Sequence, residues 1–210
     1  MNYKYYAKSN PIKTIKEHTD KLLENLEILR RIYGSKIIQA IDMPEDRFWQ
    51  LMEIICEYHD VGKVYSGFQN AIRKNIGEPL LQTKFNNEQI KHEQISPMFV
   101  PYKKYDLTKT ERKLVYQAIY YHHERANTIH IDGELLKEII KDDIEPNTEK
   151  IENELQIKVP KLKTVYLGMV EGQARITEFD DIYKDYCIMK VLLHRLDHCS
   201  SAWIPVEDET

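Results

Sequence analysis

Apolar residues recur along the first third of the chain at the three- and four-residue steps of an α-helix. Ile15, Leu22, Leu26, Leu29 and Tyr33 share one face, and their spacing predicts an amphipathic helix over roughly 13–33 that ends near Gly34. His18 falls on that stripe. A second helix is predicted from Asp42, with Pro44 early and Glu45 three residues on in a capping-box arrangement. Phe48, Leu51, Met52 and Ile55 mark its buried face, and one more turn along that face reaches His59.

Gly62, Gly67 and Gly77-Glu78-Pro79 punctuate the next stretch, with a helix including Phe68 to Lys74 between them. Thr108 and Glu111 form another capping-box signature, opening a helix through Val115, Ile119 and His122. From about 125 to 180 the periodicity fades, and the pattern near 164–179 fits either a small β-hairpin turning at Glu171-Gly172 or a helix. Met189, Leu193, Leu196 and Ser200 then repeat at helical steps up to Trp203, before Pro205 stops the pattern; Asp197 lies beside the stripe. The fold class expected is all-α, a helical bundle in one domain over 1–210.

Composition agrees with that class. The 210 residues are 42% hydrophobic and 30% charged with only seven glycines, as expected of a soluble helical protein able to bury a core without staples. No apolar run reaches the ~18 residues of a membrane span, and the N-terminus lacks the apolar stretch of a signal peptide, so a cytoplasmic protein without a membrane partner is expected. Cys56, Cys187 and Cys199 show no metal-knuckle or CxxC spacing and read as reduced thiols. The net charge of −4 argues against nucleic-acid binding by bulk electrostatics. Acid is concentrated in the back half, however, while Lys4, Lys8, Lys13, Lys16 and Lys21 lie near the start. Gly62-Lys63 is followed by Val64 and position 57 is Glu, so this pair forms no P-loop.

The candidate chemistry lies in polar residues on apolar faces. A single histidine so placed is more often a hydrogen-bonded core residue than a ligand. Here His18, His59, His122 and Asp197 each fall on or beside the buried face of a different predicted helix, with His59-Asp60 and His122-His123 as adjacent pairs. Imidazole nitrogens with carboxylates suit divalent transition metals, and a carboxylate can bridge two ions. Two ions about 4 Å apart clamp a phosphoryl group and supply a nucleophile near neutral pH, which is what phosphodiester hydrolysis requires.

The order His18, His59-Asp60-Val61-Gly62-Lys63, His92, His122-His123 and Asp197 resembles the HD superfamily of metal-dependent phosphohydrolases. Within it, HDVGKVYSGFQ, KHEQIS with Ser96 one turn after His92, the doubled histidine and LHRLDHCSS resemble the HD nuclease of Type I CRISPR interference, over about 15–202. The resemblance implies an HD-domain bundle and two divalent ions (Mn, Ni, Co, Fe, Mg or Zn). It assigns one ion to His18, His59, Asp60 and Asp197, and the other to His92, His122 and His123 with Asp60 bridging. It further implies cleavage of single-stranded DNA, endonucleolytic and 3′-to-5′ exonucleolytic, with the strand unwound by a helicase supplied in trans or by a longer chain, as part of a CRISPR interference complex in antiviral defence.

Lys63, one helical turn from Asp60, is read as a catalytic and substrate-binding residue that meets a phosphate or orients water. Ser200 and Ser201 match small polar residues that follow the last aspartate in this family, with substrate phosphate as the implied contact. Phe68 reads either as core or as a base-stacking ring. His194 and His198 form an i, i+4 pair, but no HExxH glutamate precedes the second, which excludes the metalloprotease motif; His130 reads as a surface residue. Two other functions stay open: an HD phosphohydrolase acting on nucleotides or cyclic nucleotides, and a catalytically silent partner-binding domain. The silent domain has no physical reason to keep buried histidines and aspartates.

Overall fold

A computed structural model describes residues 4–86, 90–123, 132–164, 168 and 174–207. The architecture is all-α apart from a short antiparallel hairpin, β1 (Tyr6–Ser9) and β2 (Ile12–Thr14), turned at Asn10-Pro11. The helices are α1 (Ile15–Gln39), α2 (Glu45–Tyr58), α3 (Ser66–Ile76), α4 (His92–Ile95), α5 (Lys109–Tyr120), α6 (Gly133–Ile139), α7 (Thr148–Leu155) and α8 (Tyr183–Ala202). Buried apolar side chains from α1, α2, α5 and α8 join in one cluster, with Leu22, Phe48, Leu51, Met52, Ile55, Val115, Ile119, Met189, Leu193 and Leu196 almost wholly inaccessible. Among the described residues no helix is long and apolar enough to cross a membrane.

The helix ends follow local chemistry, with two departures from expectation. Helix α1 starts on a full capping box, the Thr14 hydroxyl accepting from Glu17 N–H while the Glu17 carboxylate accepts from Thr14 N–H. It runs five residues past Gly34, because Ile37 and Ile38 still pack on the core and one glycine costs only about 1 kcal/mol. The capping box expected at Asp42 does not form: the Asp42 carboxylate accepts from Lys184 at 2.6 Å, and Pro44 precedes α2 without a side-chain cap. Thr108 and Glu111 do form their box on α5. Gly77, at φ 74°, closes α3 in the left-handed region where glycine carries no penalty.

Helices α6 and α7 occupy part of the segment where periodicity fades. Leu136, Ile139, Ile140, Ile144, Ile151 and Leu155 are their buried residues and those of the wide turn Ile140–Ile144 between them. That turn and the Glu145–Asn147 turn break the apolar phase, which hides two short helices from a search for one period. Half of the hairpin expected near 164–179, including its turn at Glu171-Gly172, lies outside the described residues; Thr164, Gly168 and 174–179, which are described, are not strand. His130 also lies outside them.

Buried polar side chains fix the elements around the future site. The Gln69 amide faces the backbone of Tyr6, accepting its N–H at 2.9 Å and donating to its carbonyl at 2.9 Å, and also donates to Lys63 carbonyl at 2.7 Å. It thereby ties β1 to the turn that follows His59-Asp60. Asn25, on α1, donates to Ser200 Oγ and Ile204 carbonyl and accepts from Val206 N–H, locking α1 to the end of α8.

Candidate metal centre

His59 is the last residue on the buried face of α2, and its backbone N–H completes the helical ladder to Ile55. The chain then leaves the helix at Asp60 (φ −108°, ψ 0°) and tightens into the turn Val61–Val64. That break points adjacent side chains at one centre, which a continuing helix would place about 100° apart. Gly62 is required there by close approach. A Cβ on it would lie 2.2 Å from His92 carbonyl oxygen and 2.8 Å from Ser96 N, and its own N–H donates to Ser96 Oγ at 2.8 Å. Ser96 therefore fastens the Asp60 turn to the segment that carries His92.

The other side chains arrive from four directions. His18 comes from the buried face near the start of α1, Asp197 from α8, His92 from the start of α4, and His122 and His123 from the turn after α5. The expected helix through His122 ends earlier, at Tyr120. Two groups result. Ligand atoms of His18, His59, Asp60 and Asp197 all lie within 4.8 Å of one another, as do those of Asp60, His92, His122 and His123. Asp60 belongs to both, with Oδ2 facing His18 and His59, each at 3.5 Å, and Oδ1 facing His92 at 3.1 Å and His122 at 4.0 Å. Asp197 Oδ1 lies 3.1 Å from His18 Nε2 and 3.8 Å from His59 Nε2.

The donor set fits divalent ions on independent grounds. The Nε2 atoms of His18, His59, His92 and His122 and Oδ1 of Asp60 are buried and make no hydrogen bond, an arrangement costing about 1–3 kcal/mol per group unless something else binds them. The opposite ring nitrogens are held: His59 Nδ1 pairs with Cys56 carbonyl at 2.8 Å, His122 Nδ1 with Ile119 carbonyl at 2.5 Å, and His92 Nδ1 with the Glu93 carboxylate at 3.3 Å. Such pairings set the tautomer that leaves Nε2 as the inward electron-pair donor. Glu93 was not singled out in the sequence; its signal is the carboxylate adjacent to a candidate ligand.

Protonation follows the same design. Burial works against an ionised Asp60, but Lys63, His59 and His92 outweigh it and hold the carboxyl well below the usual range. Asp197 is lowered likewise: burial opposes its ionisation, but the adjacent imidazoles of His18 and His59 outweigh it. Burial, reinforced by His123, His92 and His59, holds His122 well below the usual imidazole range and so neutral. Carboxylates ionised and imidazole neutral are the states that bind a metal ion.

Lys63 Nζ lies 2.6 Å from Asp60 Oδ2 and 5.6 Å from the Phe68 ring centre, so its ammonium sits at the mouth of the centre. Phe68 itself is half-buried, edge-on to His92 at 5.6 Å. Ser200 points elsewhere: it is buried, and its hydroxyl accepts from Asn25. Ser201 is half-buried on the Asp197 side, its Oγ 3.5 Å from Asp197 Oδ1. Of the N-terminal lysines, Lys8 donates to Ser201 carbonyl, Lys13 stacks on Trp203, and Lys16 and Lys21 pair with Asp20 and Glu24.

No protein-family model and no curated protein matches this sequence. Among solved structures, the chain is similar to the CRISPR-associated Cas3 HD domain protein from Methanocaldococcus jannaschii, with a TM-score of 0.50 at 17% identity over 92% of this chain and 98% of that one. At this identity the likeness concerns the arrangement of helices. The chain has the all-α fold of an HD domain, and the two His/Asp groups sit within it.

Proposed function

We propose that this chain is a metal-dependent HD nuclease that hydrolyses phosphodiester bonds of single-stranded DNA in CRISPR interference. The observation that carries the reading is the pair of four-residue groups sharing Asp60, with five buried polar atoms aimed inward and unsatisfied. The fold shared with a protein described as a CRISPR-associated Cas3 HD domain supports it. In this reading His18, His59, Asp60 and Asp197 hold one divalent ion, and His92, His122 and His123 hold a second with Asp60 as the bridge. Ions bound there would supply Lewis acidity toward a phosphoryl oxygen and a nucleophilic water near neutral pH.

The remaining steps belong to the chain's own side chains. Glu93 orients His92, and the carbonyls of Cys56 and Ile119 orient His59 and His122. Lys63, already beside Asp60, meets a phosphate oxygen with its ammonium. Ser201 offers a hydroxyl at the Asp197 edge. Unwinding is left to a helicase, supplied in trans or by a longer chain.

The test is cleavage of labelled single-stranded DNA, beside a panel of nucleotides and cyclic dinucleotides, with Mn, Ni, Co, Mg or EDTA. DNA cutting that disappears in EDTA and in Asp60→Ala is expected. Turnover of nucleotides with DNA left intact would replace this reading by the small-molecule one.

A further inference from the structure

One face of α8 is not absorbed by the centre. Cys187, the adjacent pair Lys190 and Val191, His194 and His198 recur at three- and four-residue steps on the side of the helix away from Met189, Leu193 and Leu196. They form the wall of an open cavity of about 300 Å³ that, among the described residues, is also lined by His122 and His123. The cavity therefore starts at one metal group and runs along the helix for roughly 16 Å, the rise of eleven residues. Among the described residues its lining contains no carboxylate, although the chain has a net charge of −4.

Three features give this wall a chemistry. Lys190 and Arg175 lie over the ring of Tyr121, the residue before His122, at 5.8 and 4.6 Å, which gathers two cations beside the centre. His194 and His198 are exposed, with ring centres 4.0 Å apart and planes tilted by 44°, offering both N–H donors and ring faces. Val191 is 67% exposed, an apolar surface between them. Cations for phosphate, rings and an aliphatic side chain for bases are what a single strand needs, and the groove is continuous with the groups proposed to cut it. A third metal site is disfavoured by the same atoms: among the described residues the two histidines gain no third ligand within 4.8 Å.

Resting on the nuclease reading above, we propose that this groove is the track for the nucleotides flanking the scissile phosphate of a single-stranded nucleic acid, with Lys190, His194 and His198 contacting its backbone. Two measurements keep the two readings separate. Binding of a fluorescein-labelled 12-nucleotide single-stranded DNA is followed by anisotropy in EDTA, across a salt series. Hydrolysis of the same DNA and of bis-p-nitrophenyl phosphate, which is too small to fill the groove, is followed with Mn.

The combined variant Lys190→Ala, His194→Ala, His198→Ala is expected to raise Kd for the DNA at least tenfold. It should flatten the dependence of log affinity on log salt by about 0.7 for every phosphate the protein no longer neutralises, and lower DNA turnover relative to the small diester. Val191→Glu, a change at an exposed position that leaves the core intact, is expected to weaken DNA binding in the same direction by charge repulsion. Wild-type Kd and salt slope in both variants would overturn the groove, as would loss of a bound ion from the triple variant in metal analysis. Failure of wild type to hydrolyse either substrate, with DNA binding still abolished in the variants, would overturn the nuclease reading and leave the groove standing.

Discussion

His18, His59 and Asp197 reach Asp60 from helices of 25, 14 and 20 residues, whereas His92 and the His122–His123 pair reach it from a four-residue helix and a turn. The first group is buried throughout; the second ends in an exposed His123 and opens into the groove along α8. Long helices packed on a common core hold their side chains to fixed rotamers, so the first group is preorganised by the fold itself. The second is preorganised by individual polar contacts to Ser96 Oγ, the Glu93 carboxylate and the carbonyl of Ile119. The contrast suits a centre in which one ion is permanent and the other stands where substrate enters.

Asp60 is the one residue whose loss erases the contrast, because both groups contain it. Asp60→Ala is expected to bring bound metal, measured by inductively coupled plasma analysis, from two ions to none retained through dialysis. DNA cleavage should fall by at least about 10³-fold. Retention of one ion would show that the groups are independent and that Asp60 bridges nothing.

His18→Ala and His123→Ala separate the groups. In the metal-free protein, His18→Ala removes a buried ring and is expected to lower stability by about 1–3 kcal/mol, whereas His123→Ala, at the surface, stays within about 0.5 kcal/mol. Metal titration by calorimetry should then show the buried-group ion weakened in the first variant and the groove-side ion in the second. Equal destabilisation, or loss of the same ion from both, would remove the distinction.

The two groups also differ in how far the sequence discloses them. His18, His59 and Asp197 lie on or beside apolar stripes of long helices, so helical period alone brings them to the core. Around His92 the pattern offers little, since a four-residue helix has no period, and that position rests on the resemblance. What fastens the elements around both groups is hidden for a plainer reason. Gln69 bonding the backbone of Tyr6, Asn25 locking the tail, Ser96 receiving Gly62 N–H and Glu93 facing His92 are polar interactions across 34 to 181 residues or between neighbours, and no spacing rule specifies them. The hairpin of β1 and β2 escapes notice because seven strand residues are too few to show alternation.

Glu93→Gln sharpens the comparison at a single pairing. The amide keeps the size of the side chain but loses the charge beside His92 Nδ1, and loss of such a partner typically costs about 10- to 100-fold in metal affinity. The expectation is a weaker groove-side ion with the buried-group ion unchanged, read from the two phases of a Mn or Co titration. If both phases move together, Glu93 acts on the fold and not on His92.

The smallest effect concerns the strap between the halves. Arg47 on α2, the helix capped by His59, donates to the Glu111 carboxylate on α5, the helix that precedes His122, at 2.5 and 2.7 Å. Those hydrogen bonds, with the Thr108 cap, bring the Glu111 carboxyl from its ordinary 4.5 to about 2. A carboxyl depressed on folding stabilises above its unfolded pKa, where it is ionised in both states, and loses that contribution as pH falls from about 4.5 to about 2. Because the pair is partly exposed, Glu111→Gln is expected to lower Tm by only about 1–3 °C near pH 7. The gap between wild type and variant should be constant from about pH 7 to 5 and shrink below it, as followed by circular dichroism. A gap that persists unchanged at about pH 3 would mean that the side chain contributes by packing and the Thr108 cap, and that the carboxylate does not tie the buried group to the open one.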